Sequence, residues 1–348
     1  MTELAPFRVS NGGKMLWENP CARNNVANVL FLESPAGVGF SHSNTSSNYI
    51  IGDTKTAADS FTFLVNWLER FPEYKTRDFF ITGENYAGRY VPRLAQLILH
   101  NNKITNQTVI NLKGATIGNG EYDIETQNRG TYDYYWTHAL ISDEIHQGIV
   151  SNCNFSSADP PSDACQTYKS QAHSDIGHID SNNIYAPLYE YDPCSDNYVY
   201  PYLNTPAVQK SLHANTTGIP GPWKNYKYIC YDVFGYIGHN WDDEIDTVLP
   251  VIKEHPSGGI SVWLYNGDID SVCSVTTTRY ALNKLRLSAK TPWHAWYTQG
   301  EVGGYTVEYE NLTFVTVRGA GHLVPSYQPA RALTLFSSFL VGKLPPSN

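Results

Sequence analysis

Strand-length apolar segments alternate with amphipathic helical patterns along most of this 348-residue chain. The apolar segments lie at residues 26–34, 77–84, 112–120, 259–268 and 312–321, and the helical patterns lie at 54–71, 90–102, 205–215 and 328–342. Asp53 is a suitable N-cap for the first of these helices, and Pro72 ends it. Strands that alternate with helices form a mainly parallel central sheet with helices on both faces, so we predict the α/β class.

The pattern changes between residues 121 and 200, where Tyr, Asn, Ser and Asp dominate and one short helical stretch occurs at 142–152. We interpret residues 121–200 as an inserted, partly helical cap over the carboxyl edge of the sheet. Residues 1–120 and 201–348 are then the first and second parts of the α/β core.

Charge and composition exclude several functions. The net charge of −9 argues against nucleic acid as a partner, because nucleic-acid binding needs a basic face. No uninterrupted apolar run approaches the ~18 to 20 residues that a membrane-spanning helix needs, so we predict no membrane span. The six cysteines contain no C-x-x-C metal-binding pattern, and we predict neither a metal nor a cofactor.

Glycosylation sequons favour the secretory pathway, although each of them alone is weak evidence. They begin at Asn44, Asn106, Asn154, Asn215 and Asn311. The N-terminal stretch MTELAPFRVSNGG contains no apolar segment of the kind that a signal peptide needs. We therefore expect a secretory protein, and one explanation of the missing signal peptide is that the front of the chain is missing.

Three loops that follow predicted strands carry candidate catalytic residues: Asn85 in GENYAG, Asp270 in YNGDIDSV and His322 in RGAGHLVP. In α/β-hydrolases a nucleophile, an acid and a histidine follow sheet strands in this chain order. Each residue alone has a structural interpretation as a turn, cap or loop residue, and Asp268 competes with Asp270 for the role of the acid. The order and the strand context together favour the catalytic interpretation.

Long segments of the chain resemble the serine carboxypeptidases of the plant serine-carboxypeptidase-like group. The matching segments cover nearly the whole chain and include ELAPFRV, NVLFLESPAGVGFSHSNTSS, FFITGENYAGRYVPRLA, YNGDIDSV and VRGAGHLVPSYQP. The resemblance implies an α/β-hydrolase fold, release of C-terminal residues from peptides at acidic pH, and a vacuolar or extracellular location. It also implies Asp270 as the acid, His322 as the base, and Tyr86 as the donor of a backbone N–H to the oxyanion.

The resemblance further implies that Glu33 and Glu84 form a carboxyl pair near the terminal carboxylate of a peptide substrate. Two acids in contact do not both ionise cheaply, so one of them keeps its proton and is able to donate a hydrogen bond to that carboxylate. The alternative is that either glutamate caps a helix or pairs with an arginine.

The nucleophile position of this chain departs from the pattern of the family. The family elbow reads GESYAG, and its serine falls on Asn85, whose amide is not a nucleophile and does not lose a proton to His322 near neutral pH. Asn tolerates the left-handed backbone that an elbow requires, so we expect the turn to survive without its chemistry. The family loop NGGPGCS, which supplies a second oxyanion donor, would precede residue 1, so we expect Asn85→Ser alone not to restore normal rates.

The cysteines also depart from the family. The resemblance implies a disulfide between Cys153 and Cys165, and it leaves Cys194 and Cys230 without their usual partners. Cys21 and Cys273 stand where the plant group usually shows other residues.

Three functions stay open at this point. The first is a hydrolase of peptides or of a small acyl substrate, impaired by Asn85. The second is a non-catalytic protein that binds a peptide or a partner, with a homodimer or an active paralogue as the candidate assembly. The third is an acid–base enzyme similar to a hydroxynitrile lyase, in which Asp270 and His322 do the chemistry.

Overall fold

The computed structural model describes residues 4–10, 12–156, 160–187, 198–214, 222–223, 241, 243–254, 258–310 and 312–348. The chain divides into two compact units. The first unit comprises Met1–Arg77, His100–Ile110 and Pro193–Ile245, and the second unit comprises Asp78–Leu99, Asn111–Asp192 and Asp246–Asn348.

Strands and helices follow one another along the chain in a fixed order. The strands are β1 (Phe7–Ser10), β2 (Met15–Glu18), β3 (Phe79–Glu84), β4 (Leu112–Gly118), β5 (Ser261–Gly267), β6 (His294–Thr298), β7 (Glu301–Glu308) and β8 (Leu312–Val317). The helices are α1 (Asp53–Arg70), α2 (Ala87–Thr105), α3 (Ile124–Thr137), α4 (Asp143–Asn152), α5 (Asp163–Ile176), α6 (Val199–Leu203), α7 (Pro206–Ser211), α8 (Leu249–Glu254), α9 (Val275–Leu285), α10 (Val324–Tyr327) and α11 (Pro329–Leu340).

The second unit contains a six-stranded mixed sheet in the order β3-β4-β5-β8-β7-β6. The pairs β3–β4, β4–β5 and β5–β8 are parallel, whereas β8–β7 and β7–β6 are antiparallel. Every residue of β8 is buried, and so are most residues of β4 and β5. This burial explains why these strands read as continuous apolar runs, since parallel strands are covered on both faces.

The register of the parallel strands aligns their carboxyl ends. Gly118 at the end of β4 pairs with Tyr265 of β5, and Gly267 at the end of β5 pairs with Val317 at the end of β8. The loops that follow these strands therefore leave the sheet from one edge, which is where α/β proteins place their ligands.

Most predicted elements are present with nearly the expected bounds, among them α1, α2, α11, β3, β4, β5 and β8. Helix α1 ends at Arg70, before Pro72, as predicted. Gly52 occupies its N-cap position, so Asp53 is the first helical residue instead of the cap. Thr205 precedes α7 and Pro206 is its first residue, but the Thr205 side chain donates or accepts no capping hydrogen bond.

The prediction of a strand at residues 26–34 is wrong. This segment has no regular secondary structure beyond a turn at its start, and Val26, Leu30, Phe31 and Leu32 are all exposed. A buried parallel strand needs a hydrogen-bonded neighbour, and no described strand of the first unit pairs with this run. Its apolar composition alone therefore does not make it a strand.

The expectation of one short helical stretch between 121 and 200 is also wrong, because α3 and α5 flank the predicted α4. All three helices begin with a side chain that accepts a hydrogen bond from a backbone N–H of the first turn. These N-caps are Asp123, Ser142 and Ser162. The weak hydrophobic periodicity of α3 and α5 hid them, although their capping residues were visible in the sequence.

Cys153 and Cys165 form a disulfide. It joins the end of α4 to the start of α5 beside a small apolar cluster formed by Ile141, Ile149 and Ala172. Among the described cysteines, Cys21 and Cys273 are free thiols. Cys194 and Cys230 lie outside the described residues. Among the described helices, none combines the length and apolar character required to cross a membrane.

Candidate active site

The turn between β3 and α2 places Asn85 in the left-handed region, with φ of 59°. Its N–H donates to the carbonyl of Gly118 at 3.0 Å, and its carbonyl accepts from the N–H groups of Gly88 at 2.9 Å and Glu121 at 3.1 Å. The backbone of the elbow is therefore fixed by hydrogen bonds to the neighbouring strand and loop. The predicted survival of the turn with Asn at its centre is confirmed.

The two glycines that flank the elbow are required by close packing. A Cβ atom on Gly83 would lie 2.4 Å from the Cβ of Ala87, and one on Gly88 would lie 2.3 Å from the carbonyl oxygen of Glu121. Any side chain at either position would push α2 away from the ends of β3 and β4. The GENYAG sequence therefore encodes the strand–turn–helix geometry as well as the residue at its point.

Asp270 lies in the loop after β5 and is fully buried. Its Oδ1 accepts from the N–H of Val272 at 2.8 Å, and its Oδ2 accepts from the N–H of Cys273 at 3.1 Å and from Nδ2 of Asn119 at 2.8 Å. Oδ2 also lies 2.9 Å from Nδ1 of His322. A carboxylate that accepts several hydrogen bonds is stabilised in its ionised form.

His322 follows β8 and is buried, with 6% of its surface exposed. Its backbone N–H donates to the carbonyl of Asn182 at 2.7 Å, which fixes the loop. Because the carboxylate of Asp270 is an acceptor, Nδ1 of the ring carries the proton in this pair. The neutral ring then presents Nε2 as its basic nitrogen, which is the tautomer that a catalytic base requires.

Asp268, the other candidate for the acid, has a different environment. Its Oδ1 accepts from the N–H of Gly319 at 2.7 Å, and its carbonyl accepts from the hydroxyl of Tyr134 at 3.0 Å. Burial raises the pKa of Asp268 above its usual value. These contacts give Asp268 a role in shaping the loops, while Asp270 is the carboxylate that meets the histidine.

Cys273 is a site residue whose contact with the elbow the sequence did not reveal. Its thiol donates a hydrogen bond to Oδ1 of Asn85 across 3.5 Å, and only 1% of its surface is exposed. Burial, followed by the negative charges of Asp270 and Glu121, raises the pKa of this thiol well above its usual value. The thiol is therefore protonated near neutral pH, which makes it a poor nucleophile.

An ion pair beneath the elbow was also missed by the sequence reasoning. A guanidinium nitrogen of Arg89 lies 2.7 Å from Oε1 of Glu121, and the Arg89 side chain is fully buried. The guanidinium also lies over the ring of Tyr86, 5.6 Å from its centroid, and that ring packs edge-on against Tyr90. These contacts hold the first turn of α2, where Tyr86 is expected to present its backbone N–H. That oxyanion role of Tyr86 stays a prediction.

The two glutamates expected to bind a carboxylate belong to different units. Glu84 is the last residue of β3, and its carboxylate oxygens are shielded from solvent. Glu33 lies in the first unit, where its Oε2 accepts from the N–H of Phe40 at 2.5 Å and its Oε1 accepts from the indole of Trp223 at 3.1 Å. The pairing of Glu33 with Glu84 stays a prediction.

Three of the sequon asparagines, Asn44, Asn106 and Asn154, are exposed. In the sequon at Asn154, its Oδ1 accepts from the backbone N–H of Ser156 at 3.2 Å and from its hydroxyl at 2.9 Å. Asn215 and Asn311 lie outside the described residues. Exposure makes modification of the first three sites sterically feasible, and their glycosylation stays a prediction.

Comparisons with known proteins agree with this geometry. Residues 1–342 match the family model described as serine carboxypeptidase. Serine carboxypeptidase-like 40 from Arabidopsis thaliana is 49% identical over 360 residues, which cover 98% of this chain and 69% of the relative. Serine carboxypeptidase-like 25 from the same plant is 46% identical over 376 residues, which cover 98% of this chain and 78% of the relative.

Among solved structures, the prohormone-processing carboxypeptidase Kex1 from Saccharomyces cerevisiae is similar, with a TM-score of 0.82 at 23% sequence identity. The match covers 98% of this chain and 79% of that chain. At this identity the likeness establishes the fold. The predicted α/β-hydrolase fold, a mixed sheet with helices on both sides, is confirmed, and so is the family resemblance drawn from the motifs.

Proposed function

The chain belongs to the serine carboxypeptidase family, and we propose that it binds peptides by their C-terminal residue without hydrolysing them at a useful rate. One observation carries this proposal: a built Asp270–His322 pair, at 2.9 Å, accompanies an elbow whose central residue is Asn85. We propose Asp270 and His322 as the acid and base, and Tyr86 as the oxyanion donor. Glu33 and Glu84 are the proposed carboxylate-binding residues.

Peptide hydrolysis by this family requires a side chain that attacks the carbonyl carbon and gives its proton to the histidine. The carboxamide of Asn85 does neither, because its nitrogen lone pair is delocalised into the carbonyl. Loss of the nucleophile of a Ser-His-Asp triad leaves only ~10³ to 10⁴-fold catalysis over water, from binding and the oxyanion hole. The remaining site therefore favours binding over turnover.

The nearby thiol does not replace the missing serine. Cys273 is buried and donates its proton to Asn85 Oδ1, and its raised pKa keeps it neutral. Catalytic cysteines have lowered pKa values and partial exposure, which are the opposite properties. This argument supports the assignment of a disabled site instead of a cysteine-dependent one.

A second candidate function is acid–base catalysis of the hydroxynitrile-lyase type. The observation that favours it is the intact Asp270–His322 pair, because cleavage of a cyanohydrin needs a base for the hydroxyl proton and no nucleophile. The measurement is cyanide release from an aromatic cyanohydrin by the unmodified chain and by His322→Ala. Release that depends on His322 would support this function over peptide binding.

We also propose that the protein passes through the secretory pathway and is glycosylated. The exposed sequon residues Asn44, Asn106 and Asn154 and the disulfide between Cys153 and Cys165 support this route. A homodimer or an active paralogue is the proposed partner in the case of a purely binding role. Mass spectrometry of protein made in a secretory host tests the glycosylation, and unoccupied sequons at all three sites would contradict it.

Calorimetric titration with a blocked dipeptide tests the binding function. The matched control ligand is the same dipeptide with a C-terminal amide, which keeps the side chains and removes the terminal carboxylate. We expect the acid to bind at least about tenfold more tightly than the amide, a difference of about 1.4 kcal/mol. Binding should weaken as pH rises, because the proposed carboxyl pair then loses the proton that it donates. Equal affinity for the two ligands would contradict the proposal.

A further inference from the structure

Asn119 follows β4 directly and has a left-handed backbone, with φ of 40°. Its backbone N–H donates to the carbonyl of Tyr265 in β5 at 2.8 Å, and the residue is fully buried. An Asn in this conformation within a buried loop is uncommon enough to call for an explanation. The contacts of its side chain supply one.

The side-chain amide of Asn119 is surrounded by complementary partners. Its Nδ2 donates toward Oδ2 of Asp270 at 2.8 Å, the carbonyl of His322 at 3.1 Å and the carbonyl of Gly321 at 3.2 Å. Its Oδ1 accepts from the N–H of Gly267 at 2.8 Å. Reversing the amide would place Oδ1 against three acceptors, so its orientation is fixed. Neither a carboxylate nor an apolar side chain satisfies both sides.

These contacts connect the end of β5, the acid and the histidine loop through one side chain. We infer that Asn119 is a positioning residue that holds the Asp270 carboxylate and the His322 backbone together and thereby sets the protonation behaviour of the His322 ring. The inference rests on the proposed roles of Asp270 and His322 as the acid–base pair.

The physical reason lies in the sharing of one carboxylate oxygen. Oδ2 of Asp270 accepts from Asn119, from the backbone of Cys273 and from the His322 ring. The amide of Asn119 stabilises the negative charge and limits the directions from which the ring approaches. Without it, the carboxylate and the two loop carbonyls lose a donor in a buried site, where unsatisfied polar groups are costly.

The test is NMR of His322 in the full chain, because it needs neither substrate nor turnover. The unmodified protein should show a hydrogen-bonded Nδ1–H resonance of His322 that is protected from exchange. Asn119→Ala should lose that resonance. Asn119→Asp keeps the size of the side chain but places a second carboxyl beside Asp270, so the two acids share a proton and couple to the ring. Its His322 titration should gain a second step, or a midpoint moved by about one pH unit or more.

Thr116→Val is the matched control, because Thr116 is a buried polar residue of the same strand whose hydroxyl has no hydrogen-bond partner among the described residues. It should leave the Nδ1–H resonance and the titration of His322 unchanged. Where Asn119→Ala does not fold, Asn119→Asp decides the question. A single, unmoved His322 midpoint in Asn119→Asp would overturn the inference. That result would leave the peptide-binding proposal intact, whereas hydrolysis by the unmodified chain would refute the proposal and leave this inference standing.

Discussion

The Cys273 thiol donates a hydrogen bond to Oδ1 of Asn85 across 3.5 Å, while the backbone N–H of Cys273 donates to the Asp270 carboxylate at 3.1 Å. One residue of the acid loop therefore contacts both the nucleophile position and the acid. The Asn85 side chain is consequently a packed and hydrogen-bonded part of the site. The chemistry at the elbow is lost, but the surrounding structure is retained.

Cys273 should resist alkylation in the folded protein. Burial and the neighbouring carboxylates raise the pKa of its thiol, so the thiolate that reacts with iodoacetamide is scarce near pH ~7. Cys21 is half-buried and serves as the internal comparison. Mass spectrometry should find Cys21 labelled and Cys273 labelled only after unfolding. Labelling of Cys273 as fast as Cys21 would show that the thiol is accessible and ionised.

The buried ion pair between Arg89 and Glu121 should be important for stability. Glu121→Gln leaves the fully buried guanidinium without its partner charge, and the loss of one partner of a buried pair costs about 3 to 5 kcal/mol. Lys75→Ala is the control, since it breaks an exposed pair with Glu69 worth about 0 to 1 kcal/mol. Urea denaturation measures both losses. Similar losses for the two variants would contradict the assigned burial.

Asp133 should contribute to acid sensitivity. Burial raises its pKa, but hydrogen bonds from Arg129, His146 and Tyr280 outweigh burial and hold the pKa below its usual value. A carboxyl with a lowered pKa in the folded state contributes stability above its unfolded pKa of about 3.9, and that stability is lost as pH falls through the folded pKa.

Asp133→Asn should therefore lower the free energy of unfolding near neutral pH by about 1 to 3 kcal/mol and flatten its fall below pH ~4. Glu144→Gln, an exposed change in α4, is the control and should leave the acid dependence unchanged. Thermal unfolding across this pH range distinguishes them. An Asp133→Asn variant with the same acid slope as the unmodified protein would remove Asp133 from the explanation.

The disulfide should stabilise the pairing of α4 with α5. Cys153 and Cys165 are separated by 12 residues, and closing a loop of about this length stabilises a protein by about 3 kcal/mol in the chain-entropy description. The double change Cys153→Ser and Cys165→Ser should lower stability by that order, while Cys21→Ser should have little effect. Peptide mapping without reduction checks the bond itself, and a free Cys153 thiol in protein from a secretory host would contradict it.

The sequence predicted the elbow, the acid loop and the histidine loop because each follows a buried strand and carries a recognisable motif. It did not predict the role of Asn119, since the identity of an isolated Asn does not show which loops from other strands will surround it. Nor did it predict the contact between Cys273 and Asn85, which are 188 residues apart. Such contacts arise from the register of the parallel strands, which hydrophobic patterns do not specify.

Secondary structure was predicted best where hydrophobic periodicity was strong, as in α1 and α2. Helix α3 was missed because Tyr, Asn and Thr fill positions where apolar residues would mark the buried face. The apolar run at 26–34 was assigned to a strand for the opposite reason: composition suggested burial, but strand formation also requires a hydrogen-bonded neighbour.

The most direct test is release of the C-terminal residue from a blocked dipeptide at mildly acidic pH, measured for the unmodified chain, for Asn85→Ser and for His322→Ala. We predict that the unmodified chain and His322→Ala release no more than a blank without protein, because neither supplies both a nucleophile and a base. Asn85→Ser should be the variant with any measurable release. Robust release by the unmodified chain that His322→Ala abolishes would contradict the assignment of Asn85 as a disabled nucleophile position.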